Sequence, residues 1–305
     1  MSAETYPASY LNIEEDQFKE KIDQGRTLLQ NCEVCPRHCH VNRLQGELGE
    51  CGTGYELIVS SFFAHFGEEA PLVGTHGSGT IFMGGCNLQC LFCQNYETSH
   101  LVEGRSVSIA QLAKMMLALQ DNGCHNVNIV TPSHVVPQII EALYEAKQEG
   151  LSVPLVYNSG GYDCLRSLQL LDGLVDIYMP DFKFFSDDLA QRYTAVPDYA
   201  TVTREAIREM HRQVGDLIIE QGLAKRGLLV RHLVMPGMLN DSEKIFRFLA
   251  SQISENTYVN IMPQYHPAGK AVHFPELRRS LNYVEFLEAL KRAREIGLQR
   301  LDKRN

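Results

Sequence analysis

Residues 77–97 read GSGTIFMGGCNLQCLFCQNYE. The stretch opens on a short apolar run, Gly79–Met83, turns on Gly84 and Gly85, and then places Cys86, Cys90 and Cys93 within eight residues. A run of this length, with branched and aromatic side chains and closing glycines, predicts a strand followed by a loop. The three cysteines therefore sit just past the C-terminal end of a strand.

Toward the C-terminus the same theme repeats. Further apolar runs occur at Val127–Val130, Pro154–Tyr157, Val175–Met179, Leu228–Val234 and Tyr258–Met262. Helical patterns lie between them at Ile109–Asn122, Val135–Glu149, Cys164–Leu171, Ser186–Ala195, Thr203–Gln221 and Ser242–Ser254, with another at Asn282–Ile296. Alternating strands and helices predict βαβ units around a parallel sheet. Six units are too few for a closed eight-stranded barrel, so the fold class is α/β: a partial (β/α)6 TIM-like barrel, open on one side.

The strands end on unusual residues: Thr131-Pro132-Ser133, Asn158-Ser159-Gly160, Pro180-Asp181, Pro236-Gly237 and Gln264-Tyr265-His266. C-terminal strand ends build the active sites of such barrels, so these loops and the cysteine loop predict one shared site. Alternation puts Arg231 and His232 on opposite faces of their strand, one of them inside the barrel. A buried Arg calls for a carboxylate. The polar stretch Gln264–Pro275 predicts a mobile flap over the mouth. His65 and Glu68-Glu69, in a loop before the first strand, read as structural or surface residues.

Toward the N-terminus, residues 11–30 show helical spacing, whereas residues 31–55 lack periodicity and carry Cys32-x2-Cys35-x3-Cys39-x11-Cys51. The chain thus divides into a helix and cysteine-rich metal-binding segment, 1–60, and a barrel, 61–305. The 305 residues carry a net charge of −9, which argues against nucleic-acid or anionic-membrane partners. No apolar run is long enough to span a bilayer, and the acidic start (Glu4, Glu14, Glu15, Asp16) lacks the features of a signal peptide. A cytoplasmic location follows as the expectation. In a reducing compartment nine cysteines argue for metal or redox chemistry rather than disulfides. Cys124 and Cys164 stand apart and read as small buried hydrophobes.

Three thiols on one loop suit three irons of a [4Fe–4S] cluster, with the fourth iron open to a non-protein ligand; zinc completed by a distant residue is the alternative. The four cysteines at 32–51 accommodate a zinc knuckle or a second iron–sulfur cluster. His38 and His40 flank them as alternative ligands.

With CxxxCxxC at 86–93 and an aromatic before its last cysteine, the sequence resembles the radical SAM superfamily. CEVCPRHCHVNR at 32–43, HFGEE at 65–69, residues 77–97 and RHLVMPG at 231–237 make it similar to the pyruvate formate-lyase-activating-enzyme-like group within it. The resemblance implies that S-adenosylmethionine (SAM) chelates the open iron, that the reduced cluster cleaves it to a 5′-deoxyadenosyl radical, and that Phe92 lines the adenine side. It also implies that Thr131 and Ser133 replace the usual contact to the SAM amino group. Asn158, Ser159, Met179 and Asp181 match the strand-end positions that hold a monovalent cation near the SAM carboxylate in the activases, and Lys183 would approach a carboxylate as a point charge; Asn158 stands where those enzymes carry a carboxylate. The centre at 32–51 is expected to lie remote from the SAM pocket. The target it suggests is a backbone glycine of a protein substrate, with flavodoxin or ferredoxin as reductant. The alternatives are radical modification of a small molecule or of a protein at another residue, and a non-catalytic electron carrier. The carrier would call for a fourth cysteine near Cys93, which the sequence lacks.

Overall fold

The computed structural model describes residues 7–303, so Glu4 of the acidic start lies outside the described residues. After α1 (Glu15–Gln30) the chain runs through a segment whose one regular element is a 3-10 turn at Arg43–Gln45 to β1 (Leu57–His65), then through α2 (Ala70–Val73), β2 (Ser78–Met83), α3 (Tyr96–His100) and β3 (Arg105–Val107). Next come α4 (Ile109–Asp121), β4 (Val127–Val130), α5 (Val136–Gln148), β5 (Leu155–Ser159), α6 (Leu165–Leu171) and β6 (Ile177–Pro180). The last part holds α7 (Asp187–Thr194), α8 (Tyr199–Val214), β7 (Ile218–Glu220), β8 (Leu223–Leu233), α9 (Leu239–Phe248), β9 (Tyr258–Met262) and α10 (Tyr283–Ile296).

Six strands, β2-β4-β5-β6-β8-β9, are parallel neighbours in that order. They are the six expected strands, and the barrel is open: β9 pairs with β8, while at the opposite edge β1 pairs antiparallel with β2 and β3 pairs antiparallel with β1. β1, β3 and β7 are additions. The expected helix Thr203–Gln221 divides, because Gly215 takes φ +71 at the end of α8 and the chain reverses into the β7–β8 hairpin. Gly227 lets β8 pass that hairpin. It sits at φ +129, and a Cβ there would fall 2.4 Å from the Leu217 Cα.

Alternation along the strands sorts the core. Ile81, Val127, Ile129, Leu155, Tyr157, Tyr178, Leu228 and Val230 face the helical layer. Leu72, Val156, Ile177, Met179, Leu217, Leu229 and Tyr258 form a separate apolar cluster inside the barrel. This leaves Asn158, Asp181 and Arg231 at the ends of the same inner rows. Serine and asparagine caps with reciprocal bonds start α4 and α10 at Ser108 and Asn282. The N-terminal helix shares the barrel core: Phe18, Leu28 and Leu29 are buried in the same cluster, and Phe18 packs on Tyr144 of α5 at 5.4 Å. Burial of each such side chain contributes about 1.5–3 kcal/mol.

Candidate functional site

β2 delivers the cysteine loop to the barrel mouth. Gly85 makes the turn at φ +82, and a Cβ there would lie 2.4 Å from the Cys51 carbonyl. The loop is then pinned on three sides. Asn87 donates to the Tyr162 carbonyl at 2.7 Å, the Leu91 amide donates to Tyr193 at 2.8 Å, and the Lys270 amide donates to Leu91 at 2.7 Å. Two thiols receive hydrogen bonds: Cys86 Sγ from the Leu88 amide at 3.4 Å, and Cys93 Sγ from the Ser99 hydroxyl at 3.2 Å. Burial pushes the Cys86 and Cys90 thiols upward, while the Lys183 charge opposes this at both.

The neighbouring strand ends carry a charged knot. Asp181 accepts from Lys183 Nζ at 2.5 Å and from Arg231 Nε at 2.8 Å. Arg231 also donates to Asn158 Oδ1 at 2.7 Å. Burial alone would raise Asp181, but the two cations outweigh it and hold the carboxyl below its ordinary range. Arg231 is thus the residue that turns inward, with its expected carboxylate. His232 points outward, between the Phe182 carbonyl (2.7 Å) and Ser242 (2.8 Å).

The other expected residues are distributed differently. Thr131 caps β4 with φ +62, a left-handed conformation rare for a β-branched residue, and its amide donates to the Asn158 carbonyl at 2.9 Å. Ser159 lies on the opposite face from Asn158 and donates to Asp163 at 2.6 Å, alongside Tyr157 at 2.8 Å. Ser133 is buried. Phe92 is buried in an aromatic group, edge-on to Phe184 at 5.8 Å and to Tyr265 at 6.5 Å. The stretch Gln264–Pro275 is docked rather than a free flap. Lys270 binds the cysteine loop, Gln94 donates to the Gln264 carbonyl at 3.2 Å, and Tyr265 is buried with its hydroxyl on the Leu277 carbonyl.

Glu68 and Glu69 are not surface residues. The chain after β1 folds back so that both are buried. Arg231 lies 3.9 Å from Glu68 and 4.0 Å from Glu69, and His65 lies 3.7 Å from Glu68. Asn260 donates to Glu69 at 2.9 Å. Burial and the adjacent Glu69 push Glu68 well above the usual carboxyl range. His65 is the one partner near in sequence; Arg231 and Asn260 come from β8 and β9, far along the chain, where no local signal points to them.

The N-terminal cysteines lie in a segment that packs directly on the cysteine loop: Arg37 donates to the Asn87 carbonyl at 2.7 Å, and Gln89 donates to the Glu50 carbonyl at 2.7 Å. Among the described residues, no three His, Cys, Asp or Glu side chains are gathered closely enough to hold a metal ion as they stand. The donor chemistry still suits iron–sulfur ligation. Three thiols lie on one short loop, two of them receive N–H or O–H bonds, and a cation stands beside them.

The fold is thus an open parallel barrel with a thiol-bearing loop after its first parallel strand and a charged knot at the adjacent strand ends. The sequence model of the radical SAM superfamily matches residues 80–249, more than half of the chain, and the chain belongs to that superfamily. A [4Fe–4S] cluster and SAM come with that membership. An uncharacterised protein of Methanocaldococcus jannaschii is 32% identical over 286 residues, 91% of this chain and 78% of its own length. The pyruvate formate-lyase-activating enzyme of Staphylococcus aureus is 22% identical over 201 residues, 62% of this chain and 74% of its own. The crystal structure of methylornithine synthase is similar over 95% of this chain and 72% of that one, at 14% identity and a TM-score of 0.49. Among the described residues, no helix is long and apolar enough to cross a membrane.

Proposed function

We propose that Cys86, Cys90 and Cys93 hold the [4Fe–4S] cluster, that SAM lies over the Asn158–Asp181–Lys183–Arg231 knot, and that the enzyme installs a glycyl radical on a protein. When bound, the cluster supplies one electron to the SAM sulfonium and so releases a 5′-deoxyadenosyl radical. The chain's own residues do the rest. Lys183, a cation beside Cys90 and Asp181, faces the SAM carboxylate, and Thr131 presents its hydroxyl and carbonyl to the SAM amino group. Ser133 and Ser159 set that loop from beneath, and Phe92 bounds the adenine side. The observation that carries this reading is the juxtaposition of the three-thiol loop with Lys183 and Asp181.

In the same reading, residues 1–60 form a metal-binding layer on the barrel of residues 61–305. Cys32, Cys35, Cys39 and Cys51 hold a second centre, zinc or iron–sulfur, and a flavodoxin or ferredoxin supplies the electron. The open gap between β9 and the β1–β3 edge favours a protein substrate, since a backbone glycine needs a wide approach. The test mixes the reduced protein, SAM and a lysate of the same cells under anaerobic conditions. A glycine-centred doublet in the electron paramagnetic resonance spectrum of a partner protein is the expected result. The docked stretch Gln264–Pro275 favours a second reading, radical modification of a small molecule, because it narrows the mouth. Release of 5′-deoxyadenosine driven by a metabolite, with no protein radical, would establish that second reading instead.

A further inference from the structure

Two arginines are drawn into this molecule, and they are treated differently. Arg231 meets carboxylates. Arg43 is fully buried, and among the described residues its guanidinium donates to neutral acceptors. It donates to the Gly54 carbonyl at 2.6 and 3.0 Å, to the His134 carbonyl at 2.6 Å, and to Thr53 Oγ1 at 3.1 Å. A buried cation without an anion is costly. A thiol able to supply one lies one hydrogen bond beyond Thr53. Thr53 Oγ1, bonded to Arg43, lies 3.1 Å from Cys51 Sγ. Gly49 packs where a Cβ would touch Cys39 Sγ and Cys51 Sγ, each at 3.5 Å, so both sulfurs lie against the same glycine. The Glu50 amide donates to Cys39 Sγ at 3.3 Å. Four thiolates around a zinc ion or a [4Fe–4S] core carry a net charge of about −2, which would answer the buried guanidinium.

The same cation reaches the other cysteine loop. His134, whose carbonyl Arg43 holds, donates from Nε2 to the Gly84 carbonyl at 3.0 Å, two residues before Cys86. Arg37 and Gln89 add direct bonds between the segments.

We propose that Arg43 is the buried counter-charge of an anionic metal–thiolate centre at Cys32, Cys35, Cys39 and Cys51, and that it ties this centre to the loop of Cys86, Cys90 and Cys93. The proposal rests on the second-centre reading given above and assigns Arg43 as its positioning residue. The test uses the full chain with Cys86, Cys90 and Cys93 replaced by Ala, loaded anaerobically with zinc alone or with iron and sulfide. About one zinc or about four irons per chain are expected. In chelator competition, Arg43→Gln should lose metal about tenfold more readily, and Arg43→Lys should recover most of that loss. A parent background that binds no metal would overturn the second centre itself. Metal retention in Arg43→Gln equal to the parent, or equal loss in the Gln and Lys variants, would overturn the counter-charge role while leaving the centre standing. Should Arg43→Gln fail to fold, Arg43→Lys decides: parent-like retention supports the role and about a tenfold loss overturns it. In the chain with its loop cysteines intact, Cys35→Ser with Cys51→Ser should speed hydrogen exchange at residues 84–93; unchanged exchange would overturn the tie to the loop.

Discussion

Lys183 and Arg231 both hold Asp181, and Arg231 also lies 3.9 Å from Glu68 and 4.0 Å from Glu69, so two cations and three carboxylates share one network. The same economy of charge governs the buried histidines. Burial, with Arg43 nearby, lowers His134 from 6.5 to about 3, and burial lowers His232 to about 4. Both are neutral in the fold and take up a proton in the unfolded chain near 6.5. Their contribution is therefore fully present above about pH 6.5 and is lost as the pH falls toward 4, with a slope of at most about 1.4 kcal/mol per pH unit for each. His232→Asn, which keeps a donor toward the Phe182 carbonyl, should lower stability at pH 7 but flatten this acid limb. Urea midpoints measured from pH 4 to 7 check it; an acid limb as steep as the parent's would contradict the assignment.

At the scale of elements, the six parallel strands were legible because each is a short apolar run closed by turn residues, and the cysteine loop because its spacing is local. β1 was not, since Ser60 and Ser61 break its alternation and a register shift falls at the same place. β7 was absorbed into a helical pattern that ends at Gly215. The burial of Glu68 and Glu69 and the inward turn of Arg231 depend on one another across β1 and β8, a relation that no window of sequence contains. Nor could spacing show that the segment at 32–51 packs on the loop at 86–93. For that loop the expected outcome is direct. Replacing Cys86, Cys90 and Cys93 together by Ala should remove about four irons per chain from the anaerobically reconstituted protein. Iron and sulfide analysis reads the change, and an unaltered iron content would take the cluster away from these three thiols.

For the whole molecule, the sheet order β2-β4-β5-β6-β8-β9 brings thiols, the charged knot and the strained Thr131 to one mouth, while the apolar cluster around Val156, Ile177 and Leu229 fills the barrel beneath them. That separation puts an apolar floor below a polar, cation-bearing rim, the arrangement needed to bind a zwitterionic cofactor and keep a radical from water. The most direct test is to reduce the reconstituted protein anaerobically, add SAM, and quantify 5′-deoxyadenosine and methionine by mass spectrometry beside the variant lacking Cys86, Cys90 and Cys93. The account predicts both products in equal amounts from the parent protein and neither from the variant; a parent protein that is fully loaded with cluster and reduced, yet leaves SAM intact, would contradict it.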